Sequence, residues 1–128
     1  MSYYFAKTLA LPFANAVAAV RDALKAHGFG VITEIDVQAT MKAKLGVEFR
    51  PYLILGACNP ALAHEALLIE DKVGTMLPCN VVVQALPSGM VEVAAIDPVA
   101  SMRAIENPAL HLAAEAVAAK LKAVIADL

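Results

Sequence analysis

The chain has 128 residues, 60% of them hydrophobic and 17% charged, which is the size of one domain (1–128) and too apolar for a disordered polar segment. Ten Lys and Arg against twelve Asp and Glu leave a formal charge of −2 with no basic cluster to neutralise phosphates, so no nucleic-acid partner is expected. No run approaches the roughly eighteen apolar residues of a membrane span, so no membrane partner is expected either, and the apolar excess points to self-association as a homodimer.

Residues 3 to 11, "YYFAKTLAL", read as a first strand ending at Pro12. Lys7 and the uncharged stretch after it have the outline of a secretory leader. The pattern continues past Arg21, Asp22 and Lys25, however, so the stretch belongs to the fold. Phe13, Ala16, Val17, Val20, Leu24 and His27 recur at helical intervals up to Gly28. "FGVITEI" is a second strand. Asp36 then caps a short helix carrying Val37, Met41 and Leu45, which Gly46 ends. "VEFRPYLIL" reads as a third strand, and Pro51, which cannot donate to a ladder, predicts an edge position or a bulge.

In "GACNPAL", Asn59 is a favoured N-cap and Pro60 suits the first helical position, starting a helix over residues 60 to 71 with Leu62, Ala63, Ala66, Leu67 and Glu70 on one face. "VVVQAL" and "MVEVAAI", joined by "PSG", form a hairpin with one uniformly apolar face for helices to cover. "DPVASMRAIE" is a further helical segment. A second "NPAL", at 107 to 110, starts a final helix with Leu110, Ala114, Val117, Leu121 and Val124 in register. These elements predict an α+β sandwich: a mostly antiparallel sheet of about five or six strands with helices packed on one face.

The chemistry-bearing residues are few. Cys58 stands just before a helix N-terminus, where backbone donors and the helix dipole favour a thiolate; an unpaired cysteine also fits as core filler. Cys79, in "LPCN" at the start of a strand, approaches Cys58 if the intervening helix returns the chain beside its origin. His64 is the nearest candidate base or ligand, and Arg50 offers a fork for a carboxylate or phosphate; a solvated position is the ordinary alternative for both. No zinc-protease, phosphate-loop, dinucleotide or nucleophile-elbow motif occurs, and neither a metal nor a cofactor is expected. Two cysteines in this composition point to reduced thiols and a cytoplasmic protein.

"YLILGACNPALAHEAL", "VGTMLPCNVVV" and "AIDP", in that order, resemble the signature of the prokaryotic domain of unknown function family 302, and the likeness runs over about residues 3 to 126. The resemblance implies a TATA-binding-protein-like α+β sandwich, a tendency to dimerise, and a site around Cys58, Asn59, Pro60, Pro78, Cys79 and Asn80. Shared shape does not imply DNA binding. Some relatives occur beside or fused to sulfur-carrier and rhodanese-like proteins, which implies sulfur handling and a sulfur-carrier partner. The leading expectation is a homodimeric module binding a small ligand or sulfur species near Cys58 and Cys79, with Asn59 and Asn80 orienting the chain ends. The alternatives are a thiol- or persulfide-transfer enzyme with Cys58 as nucleophile and Cys79 as resolving or relay thiol, and an interaction scaffold with core cysteines.

Overall fold

A computed structural model describes residues 2–128. Strands Tyr4–Leu9 (β1), Gly30–Asp36 (β2), Tyr52–Cys58 (β3), Cys79–Ala85 (β4) and Val91–Ile96 (β5) make one antiparallel sheet in the order β1-β5-β4-β3-β2. Strict alternation sorts the side chains. Cys79, Val81 and Val83 of β4 and Val91, Val93 and Ala95 of β5 all point to one buried face. Helices Phe13–Ala26 (α1) and Pro108–Ala126 (α5) cover that face, contributing Ala16, Val20 and Leu24 from one and Leu121, Val124 and Ile125 from the other. Each fully buried Leu or Val among these contributes about 1.5–3 kcal/mol.

The other face is uncovered along its centre, where Ile35, Ile54, Val82, Ala94 and Ala6 lie opposite one another across all five strands. Helix Val37–Leu45 (α2) packs at β3 without burying a residue fully, and Leu45 remains 69% exposed. Helix Pro60–Ile69 (α3), a 3₁₀ segment Asp71–Met76 and the single turn Pro98–Ser101 (α4) gather at one end of the sheet. There Ala66, Val73, Met102, Leu110 and Ala114 form a second, smaller core. α5 is about 28 Å long. Its first half belongs to the small core and its second half to the large one.

The third strand is neither at an edge nor bulged at its proline. β3 lies between β2 and β4, and Pro51 stands just before it, where it lacks no ladder bond; its carbonyl accepts from the Ala85 N–H at 3.0 Å. The bulge lies in β2, where the register shifts between Val31 and Thr33 and Ile32 is left 62% exposed. Residues 47 to 51, expected as strand, are irregular. The third helix stops at Ile69, short of residue 71, and tightens into the 3₁₀ segment. No helix among the described residues is long and apolar enough to cross a membrane.

Candidate functional site: an apolar cavity at the meeting of two cores

Asn59 begins α3 as its sequence predicts. Its Oδ1 accepts from the Leu62 N–H at 3.2 Å, and Pro60 occupies the first turn. The cap takes part of the donor set on which a thiolate at the helix mouth would draw, leaving the Ala61 N–H. Pro60 has none, Leu62 is taken by Oδ1, and the Ala63 N–H goes to the Asn59 carbonyl at 2.9 Å.

The chain leaves β3 at Cys58, runs through α3 and the 3₁₀ segment, and returns as β4 after a cis Leu77–Pro78 peptide. Antiparallel pairing sets Ala57 opposite Cys79, so Cys58 lies one residue beyond its neighbour strand's cysteine. The two thiols are free and line the same cavity. Close approach at this crossing needs a glycine: a Cβ on Gly56 would collide with Thr33 Oγ1 and lie 2.7 Å from Pro78 Cγ.

That cavity has a volume of about 330 Å³. The strand ends supply Ala57, Cys58 and Cys79. α3 supplies Leu62, Ala63, Ala66 and Leu67, and the far side is closed by Met102, just after α4, and by Leu110 and Ala113 of α5. Exposed Ile32 and Leu67 also border it and open it to solvent. No charged side chain lines the cavity; its polar side chains are Asn59 and the two thiols. Cys79 is 7% exposed and counts among the large core. Burial first, and the electrostatic influence of nearby Cys58 second, push its pKa up from 9.0 to about 11. It therefore stays a protonated thiol at neutral pH, ionised in roughly one molecule in ten thousand.

The other predicted site residues lie elsewhere. Asn80 follows Cys79 in a strand and so points to the opposite, open face of the sheet, exposed to solvent. Arg50 is also on that side, its guanidinium 4.4 Å from the Phe49 ring centre and its Nε donating to Gln84 Oε1 at 2.9 Å. Gln84 in turn donates to Glu92 at 3.1 Å, and these residues border a shallow groove of about 350 Å³ with Tyr4, Tyr52 and Asn80. His64 is exposed on α3 and does not line the cavity. Among the described residues no group of three or more His, Cys, Asp or Glu converges on a metal-sized point. The sequence reading missed the cavity's far wall, Met102, Leu110 and Ala113, because three- and four-residue spacing marks a helix face without saying whether it meets side chains or a void.

One sheet, open on one side and bordering an apolar, solvent-connected cavity under its helices on the other, defines an α+β sandwich with a pocket at one end. The chain belongs to the family described as "Domain of unknown function DUF302", whose model matches residues 5–128. Among solved structures, the crystal structure of the uncharacterized conserved protein DUF302 from Bacillus stearothermophilus is similar, with 26% sequence identity and a TM-score of 0.92 over 99% of this chain and 98% of that one. Comparison with curated proteins gives no match.

Proposed function

We propose that this protein is a binding module that takes one small, largely apolar molecule into the cavity between its two cores. The single observation that carries the reading is the 330 Å³ volume with no charged side chain in its lining. Pockets of roughly 300–1,000 Å³ with apolar walls and a few polar groups are the usual form of a small-molecule site. The same lining decides between ligand classes. An anionic sulfur species would lose its hydration there with no cation to pair with, a cost of several kcal/mol, whereas a neutral apolar molecule gains about 25 cal/mol for each Å² it buries. Cys79 as a protonated thiol is poorly suited to resolve or relay a persulfide, which weakens the transfer reading.

Toluene is a suitable probe. It should raise the thermal midpoint of the wild-type protein in a dose-dependent way, because it binds only the folded state. Ala63→Leu, which extends a side chain of α3 into the cavity, should abolish that rise while leaving the protein folded. An equal rise in both proteins, or none in the wild type, would contradict the reading. The proposal includes a homodimer, supported by the uncovered sheet centre and by exposed Ile35, Leu45 and Val47 near its β2 edge.

A further inference from the structure

Arg50 and Glu92 carry opposite charges and meet at one row of the open sheet face without touching. Tyr52, Gln84 and Glu92 stand side by side on β3, β4 and β5, and Arg50, just before β3, reaches over to the same row. Its guanidinium lies 4.4 Å from the Phe49 ring centre and 5.4 Å from that of Tyr52, and its Nε donates to Gln84 Oε1 at 2.9 Å. Gln84 Nε2 donates in turn to Glu92 Oε1 at 3.1 Å. The Gln84 amide is thus a neutral spacer that holds Arg50 Nε and Glu92 Oε1 no more than about 8 Å apart. Both groups have bonding capacity left over. Among the described residues no ion pair includes either of them, and neither the Arg50 Nη atoms nor Glu92 Oε2 has a hydrogen-bond partner.

Two aromatic rings and the Gln84 bond orient the guanidinium in advance, which reduces the side-chain freedom it would lose on binding. In a planar guanidinium the Nε–H and one Nη–H run parallel, so the bond to Gln84 also aims a free N–H at this row. A molecule that completes both groups carries a carboxylate and an ammonium a few Å apart, as a free α-amino acid does. Beside the row, Val82, Ala94 and Ile96 line the groove of about 350 Å³ together with Tyr4 and Tyr52, which gives a side chain an apolar floor. We propose that this groove is a second small-molecule site, separate from the cavity, and that it takes a free α-amino acid with an apolar or aromatic side chain. The α-carboxylate accepts from the free Arg50 Nη–H, the α-ammonium donates to Glu92 Oε2, and the side chain lies over Val82 and Ala94 towards Tyr4. A plain carboxylate would meet the Glu92 charge with nothing to offset it, and a plain amine would meet Arg50 in the same way, so the pair selects the zwitterion.

L-Phenylalanine is the probe, followed by NMR of the Gln84 side-chain amide and the Val82 methyls at neutral pH and low salt, where exposed charges are least screened. The expected result is saturable shifts at both, with the methyls of Met102 and Leu110 in the cavity unmoved. N-acetyl-L-phenylalanine, which lacks the ammonium, and L-phenylalaninamide, which lacks the carboxylate, should each bind about tenfold more weakly. Arg50→Gln should weaken L-phenylalanine by a similar factor, and Glu92→Gln should remove the preference for it over its N-acetyl form, with thermal midpoints checking that both variants fold. Equal affinity for the three compounds, unchanged affinity in Arg50→Gln, or shifts confined to the cavity methyls would overturn the site. So would binding that weakens as protein concentration rises, which would give this row, and not only the middle row at Ile54, to a second copy of the chain.

Discussion

Cys79 and Cys58 are close in space, yet burial separates their chemistry. Because the Cys79 thiol ionises near pH 11 in the folded protein and near 9.0 when unfolded, the unfolded state loses its proton first as pH rises. Stability associated with this group is complete below about pH 9 and declines as pH climbs towards 11, by roughly 2–3 kcal/mol. Urea midpoints measured from pH 8 to 11 should show this decline in the wild type and lose most of it in Cys79→Ala. An unchanged slope in that variant would assign the effect to other groups. Gly56 is the second residue with a specific demand. Gly56→Ala should cost about 1–3 kcal/mol through its collision with Thr33 and Pro78, and Thr33→Ala in the same chain should recover part of the loss in denaturant unfolding.

At the scale of elements, the helix starts were legible because capping is local chemistry. Asp36, Asn59, Asp97 and Asn107 each accept from a backbone N–H within the next three residues, and the Pro at position 60, 98 or 108 follows its cap where a missing donor costs nothing. Asn107 Oδ1 accepts from both Ala109 and Leu110, at 3.1 and 3.3 Å. Asn107→Ala should therefore lower stability by about 1 kcal/mol, and Asn107→Asp should restore most of it in the same unfolding assay. The β4–β5 hairpin was equally legible: Gly89, at φ 85°, closes the three-residue turn, and Leu86 donates to the Met90 carbonyl. Strand order was not. Pro51 suggested an edge because a proline inside a strand would break a ladder, but the strand begins one residue later, and no local signal marks that boundary. The site divided for a related reason. Cys79 and Asn80 are neighbours in sequence, yet a strand's period of two sends one into the cavity wall and the other to the far face of the sheet. On α3, Leu62, Ala63 and Ala66 carry the periodicity of a packed face, but Ala66 alone among them is fully buried, because that face meets the cavity.

For the whole molecule, the 60% apolar composition resolves into two cores, a cavity and an uncovered sheet face. The family identity and the α+β architecture follow from the full-length similarity, while the dimer and the ligand are the proposals that account for the remaining apolar surface. Light scattering at micromolar concentration should give the mass of two chains. Ile54→Lys, at the middle of the open face, should shift it to one chain with the fold intact. A wild-type monomer would contradict the dimer without touching the cavity. The cavity itself bears a second quantitative consequence: Ala63→Leu should stabilise the free protein by about 0.5–2 kcal/mol by filling space, the opposite sign from an overpacked core substitution. The most direct measurement is a methyl-resolved NMR titration with toluene. Occupation of the cavity predicts saturable shifts concentrated at Leu62, Leu67, Met102, Leu110 and Val117, with the methyls of the α1 core unmoved. Shifts spread over the open sheet face, or no saturation up to the solubility of toluene, would contradict it.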